Sequence, residues 1–170
     1  AATVDTKLHK SSYTINEKVT GVVEITGGNT EQQIDAIYLT LYTSFVREVD
    51  DRKVNDQAAL QNFQINEPFI IKANEKREIP FSFTLPTAVP VTAGQSRVWI
   101  HTGLDIKNAV DPKDTDYIDV QPTRLASAVL SAVQNLGFRV RKVDTEQAPS
   151  YLRNRLKVVQ EFEFAPTNNT

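Results

Sequence analysis

From residue 1 to about residue 120, apolar and polar side chains alternate, a period of two that marks strands with one buried face. Val4, Thr6 and Leu8 alternate with Asp5 and Lys7, and Val19, Gly21, Val23 and Ile25 repeat the pattern up to a turn at Gly27-Gly28-Asn29. Ile37, Leu39 and Leu41 share one face, with Tyr38, Thr40 and Tyr42 on the other, so this strand is either covered on both sides or carries half-exposed tyrosines. Asp50-Asp51-Arg52-Lys53 reads as a solvated hairpin tip. Ala58 to Ile65 fits a strand or a helical turn, and strand is preferred. Phe69-Ile70-Ile71 comes next, then the polar break Asn74 to Arg77. Ile79, Phe81, Phe83 and Leu85 alternate as far as Pro86, which cannot donate to a sheet ladder. Thr87 to Gly94 reads as a loop. The longest strand signal is Val98, Ile100, Thr102, Leu104 and Ile106, with Trp99, His101, Gly103 and Asp105 opposite. Asp111 to Asp114 predicts a turn, and Tyr117 to Val120 a short last strand stopped by Pro122.

The period then changes. Leu125, Val129, Ala132, Val133 and Leu136 fall on one helical stripe, with Thr123 as N-cap and Gly137 in the left-handed position beyond the C-terminus. A helix of this length is marginal alone in water, so it is expected to dock, each large side chain it buries contributing roughly 1.5–3 kcal/mol. Phe138 to Val143 and Leu156 to Phe164 predict two more strands before a polar tail. One helix and two strands over residues 122–170 are too little for an independent core. The hairpin could pack on the first domain, pair with another copy, or open a second domain whose remainder is missing. The absence of methionine favours the last, since Ala1 is then expected not to be the translated start. The expected fold is mainly β: a β-sandwich over residues 1–121, then a short helix and hairpin over 122–170 as the incomplete start of a second sandwich.

Composition excludes more than it proposes. A net charge of −2 provides no overall field for nucleic acid or an anionic membrane, and no run of about 18 apolar residues exists to span one. Without cysteine there are no disulfides, thiolate nucleophiles or cysteine-based zinc sites, which suits a cytoplasmic location. The two histidines, His9 and His101, lack a G-x-S-x-G partner, and His101 is expected on a strand surface. Asp111, Asp114, Asp116 and Asp119 suggest calcium, but an EF-hand loop counted from Asp111 puts Asp116 at its glycine position and Pro122 at its glutamate position. A turn followed by outward carboxylates is the preferred reading, with a loop-built cation site as the alternative. Gly27-Gly28-Asn29 has no lysine for a phosphate loop. Arg139, Arg141, Lys142, Arg153, Arg155 and Lys157 could form a basic face on the terminal hairpin, but no aromatics interleave them for nucleic acid. Asn168-Asn169-Thr170 fits a glycosylation sequon. No catalytic, cofactor or metal residues are assigned.

The stretch Val98-Trp99-Ile100-His101-Thr102-Gly103-Leu104-Asp105-Ile106-Lys107, running on to Asp116, resembles the bacterial sporulation-control family, the stage-zero sporulation M proteins of the arrestin-like superfamily. Gly21-Val22-Val23 through Gly27-Gly28, Glu31 to Ile34, and Asn135-Leu136-Gly137-Phe138-Arg139 resemble it in the same order. The resemblance implies two arrestin-type (immunoglobulin-like) β-sandwiches in tandem, a cytoplasmic bacterial location, a regulatory role in sporulation or cell development, and neither enzymatic activity nor cofactor. It carries over no partner-binding residues. The expected partners are other proteins, reached through exposed strand edges at Val4 to Lys10 and the terminal hairpin, with a homodimer by edge pairing or strand exchange. A carbohydrate-binding sandwich using Tyr38, Tyr42 and Trp99 is the competing function.

Overall fold

A computed structural model describes residues 1–167, so the sequon at Asn168 lies outside the described residues. Eleven strands and one α-helix follow in the order β1 (Thr3–Leu8), β2 (Ser12–Thr14), β3 (Lys18–Thr26), β4 (Gln32–Val49), β5 (Arg52–Gln64), β6 (Phe69–Ile71), β7 (Lys76–Thr84), β8 (Val98–Ile106), β9 (Lys113–Gln121), α1 (Arg124–Asn135), β10 (Phe138–Gln147) and β11 (Val158–Pro166). A single 3-10 turn, Ser150–Leu152, separates the last two strands.

Two sheets form. The smaller is β1-β3-β7, antiparallel throughout, and the larger runs β11-β10-β4-β8-β9-β2 with β5 and β6 also paired to β4. β4 is the spine. Along one edge its residues 34–43 pair with β8, and Val46 then pairs in parallel with Glu146 of β10. Along the other edge, residues 32–34 pair with β6 and residues 38–49 with β5.

The inner faces of the two sheets meet in one core, made of the alternating positions. Ile37, Leu39, Leu41, Val98, Ile100, Ile118 and Val120 come from the larger sheet and Val19, Val23, Ile25, Phe81 and Phe83 from the smaller, all 8% exposed or less. Gly21 occupies a buried position of β3, opposite Leu8 and Phe81. A Cβ there would lie 2.4 Å from the Lys7 carbonyl oxygen, so the close approach of β1 requires the glycine.

Most predicted strands are present but longer. β4 extends well beyond Ile37 to Tyr42, because it stays paired with β5 as far as Val49, with Thr43 and Phe45 still buried. The turn between them is Asp50-Asp51, both left-handed with φ of 52° and 62°, as a two-residue hairpin turn demands. β9 starts at Lys113, inside the predicted turn, which the chain instead makes over the residues before Pro112. Three-residue β2, parallel to β9, is too short to show a period.

The helix forms where predicted. Thr123 Oγ1 accepts from the Ala126 amide at 3.1 Å, and Gly137 is left-handed at φ 93°. Its expected burial does not occur. Leu125, Val129 and Leu136 are 76%, 54% and 77% exposed, and no residue of α1 is buried. The half-covered positions are Ser127, Leu130 and Val133, so of the apolar stripe only Val133, on its flank, is partly covered.

Unfolding by urea separates the two regions. Ile100→Ala should cost about 2–5 kcal/mol, the loss expected for a packed core position. Leu125→Ser should shift stability by no more than about 0.5 kcal/mol, because its side chain already faces solvent.

Candidate interaction surfaces

The sequence's polar candidates are held in structural contacts. His9 Nδ1 lies 2.8 Å from Thr20 Oγ1, and His101 sits edge-on to Tyr42 on the outer face of the larger sheet. Among the described residues no three His, Asp or Glu side chains are placed to hold a metal ion. The aspartate run divides by strand phase rather than pointing outward together. Asp111 Oδ1 accepts from the Ile106 amide at 3.0 Å and closes the turn before β9. Asp119 faces out, accepting from Ser12 Oγ at 3.1 Å and Gln121 Nε2 at 2.6 Å. Asp114 and Asp116 instead share the inward phase of Ile118 and Val120, so for these two the outward expectation is corrected.

The inward pair lies on the seam between the sheets. The Thr6 amide of β1 donates to Asp114 Oδ2 at 2.6 Å, and the buried hydroxyls of Thr6 and Thr102 share a hydrogen bond of 2.6 Å. β1 therefore spends part of its outer edge on β9. Asp116 Oδ2 is shut off from solvent with no hydrogen-bond partner. Burial, then the neighbouring Asp114 and Asp5 carboxylates, pushes the Asp116 carboxyl up to about 7.

On the outer face, cross-strand pairing builds an aromatic row. Tyr42 pairs with Trp99 and Trp99 with Tyr117, across β4, β8 and β9. The Tyr42 and Trp99 rings stack at 5.7 Å and 13°, and Trp99 meets Tyr117 at 5.6 Å and 45°. Stacked rings turn their faces to each other and not to a sugar, so Tyr117, 63% exposed, carries most of the open aromatic surface. Tyr38 stands apart, beside a shallow depression over Gly103 that His101 and Asn62 also line. The sequence reading singled out Tyr38, Tyr42 and Trp99 and passed over Tyr117, although its phase opposite Ile118 and Val120 already placed it outside.

A cleft of about 300 Å³ opens where β4 exchanges β8 for β10 as its neighbour. Ser44, Arg97, Trp99, Tyr117, Val143 and Thr145 are among its walls. The terminal hairpin is fastened beside it by side chains. Gln160 imitates a strand residue, its amide accepting from Val91 N and donating to Val91 O, both at 2.7 Å. Ser96 and Thr145 share a buried hydroxyl contact of 2.5 Å. The basic residues of the hairpin are partly engaged: Arg141 pairs with Glu163, Lys142 with Asp144, and Arg153 Nε donates to the Ala148 carbonyl.

Comparison with known proteins gives concordant matches. The family model Spo0M, described as SpoOM protein, matches residues 1–170. The sporulation-control protein spo0M of Bacillus subtilis (strain 168) is 42% identical over 168 residues, 99% of this chain and 65% of that protein. The chain thus spans a little under two thirds of that relative's length. The crystal structure of Spo0M from Bacillus subtilis superposes with a TM-score of 0.94 at 41% identity, over 99% of this chain and 69% of that one.

The buried carboxyl predicts a pH dependence with a definite sign. Between the ordinary aspartate value of 3.8 and about 7, the folded chain holds a proton on Asp116 that the unfolded chain has released. The Asp116 contribution to stability should therefore fall as pH rises through that window and level off above it. Unfolding midpoints measured from pH 4 to 8 should show a flatter profile for Asp116→Asn than for the wild type.

Proposed function

The chain belongs to the Spo0M family, and from that premise we propose that it is a cytoplasmic, non-enzymatic regulator of bacterial sporulation that acts by binding other proteins. The observation that carries the binding role is the Tyr42-Trp99-Tyr117 row on an uncovered sheet face beside a cleft, a combination typical of protein contacts. A sporulation role is supported by the printed name of the Bacillus subtilis relative. The non-enzymatic role is supported by the structural contacts of both histidines. No helix of the described residues is long and apolar enough to cross a membrane.

The open stripe of α1 supports a second part of the reading. Leu125, Val129 and Leu136 form an apolar face that the described chain does not cover, and the Bacillus subtilis relative is longer than this chain. In this proposal residues 122–170 begin a second arrestin-type sandwich, whose further strands cover that face. β11 ends the larger sheet and offers its free edge to such strands, or to a second copy of the chain.

A spore-forming host deleted for its own family member tests the regulatory role. Expression of the chain should change the sporulation frequency of that host, and a Tyr117→Ala, Trp99→Ala double variant of normal fold should not. Equal effects of variant and wild type would remove the aromatic face from the function.

A further inference from the structure

The exposed residue most firmly placed beside the aromatic row is Arg97. Its backbone is clamped to β4: the Arg97 amide donates to Ser44 Oγ at 2.9 Å, and its carbonyl accepts from Ser44 N at 3.0 Å and Thr43 Oγ1 at 3.1 Å. The side chain is fixed by one nitrogen, Nη1, which donates to the carbonyls of Gly94 at 2.9 Å and Ser96 at 3.0 Å. Nε and Nη2, the side of the guanidinium that meets a carboxylate in a two-pronged pair, have no partner among the described residues. Arg97 is also absent from every ion pair of the described residues.

Neither carboxylate that lines the flanking clefts pairs with Arg97. Asp119 is taken by Ser12 and Gln121, and Asp144 by Lys142 at 3.2 Å. Arg97 and Tyr117 line the 300 Å³ cleft on one side and a second cleft of about 490 Å³ toward Ser11 and Thr92 on the other. The two residues thus form a ridge with a depression on each flank. An extended segment crossing it can present a carboxylate to the ridge and an apolar side chain to a depression.

We propose that the Arg97-Tyr117 ridge, with Trp99 behind it, is the docking site for an acidic, extended segment of a partner protein, a Glu or Asp carboxylate pairing with Nε and Nη2 of Arg97. Charge complementarity selects the partner: the ridge presents a cation lacking an internal counter-ion. This deepens the protein-binding reading and rests on it.

Trp99 is the single tryptophan of the chain, so its emission reports on the site without a label. The full chain is titrated with an end-capped synthetic peptide of alternating Glu and Leu, with the same peptide carrying Gln for Glu, and with inorganic phosphate. The Glu peptide should shift Trp99 emission to saturation, and the Gln peptide should bind about 10- to 100-fold more weakly, the size of a lost charged hydrogen-bond pair. Arg97→Gln should lose the same factor for the Glu peptide, and Arg97→Glu should reverse the preference toward a Lys-Leu peptide. Arg97 is exposed, and unchanged unfolding midpoints of the two variants would verify their folds. Equal binding of Glu and Gln peptides, no shift with either, an Arg97→Gln variant that binds as the wild type does, or displacement by phosphate over the same concentration range would each overturn the proposal.

Partner capture from host cells separates this site from the broader reading. Partners held by wild type and lost by Arg97→Gln support the site. Partners held equally by both overturn the site and leave protein binding standing, and a wild type that holds none overturns both.

Discussion

An 18-residue strand with neighbours on both edges is held in one register by everything it touches. Sliding β4 by one residue would turn Ile37, Leu39 and Leu41 to the outer face and bring Tyr38, Thr40 and Tyr42 into the core, and it would break two ladders at once. The rest of the structure is built on that constraint. β8 and β9 inherit their inward and outward faces from it, which is why Trp99 and Tyr117 line up with Tyr42. The smaller sheet then has a single apolar surface to cover, and Val19, Val23, Ile25, Phe81 and Phe83 fit against it.

A period of two showed itself wherever one face was buried and the other wet. β3 and β8 were therefore legible in the sequence almost to their ends, and β7 from Ile79 onward, its first residues lying in the expected polar break. Strands that depend on a neighbour were less so. β5 is exposed over its first six residues and exists there only as the partner of β4, while β2 needs β9 to exist at all. The helix was legible from its stripe and its caps, since both are local. Its lack of cover was not, because periodicity reports which face is apolar and not whether anything lies against it.

The surface chemistry was partly readable. Tyr42 and Trp99 were placed on outer faces by phase alone, but their mutual stacking is a fact of cross-strand register, which a single strand does not encode. Arg97 gave no signal, since its interest lies in the carbonyls of Gly94 and Ser96 that aim it and in the engagement of the nearby acids. Asp114 and Asp116 misled for a simpler reason. A run of four aspartates suggests a wet strand, yet two of them follow the phase of Ile118 and Val120, and one buries an oxygen to do so.

The larger sheet forks along β4. β4 leaves β8 after Thr43 and takes up β10 at Val46, so one continuous rod is shared by the sandwich and the terminal hairpin. The hairpin's ladder with that rod is a single backbone pairing, and it is further held by Gln160, by the Ser96–Thr145 contact, by Lys157 donating to the Ala59 carbonyl and by the burial of Val143 and Val158. Val143 and Thr145 of the hairpin and Trp99 of β8 line the same cleft, so the seat of the hairpin on the rod sets the width of the gap beside Arg97 and Tyr117.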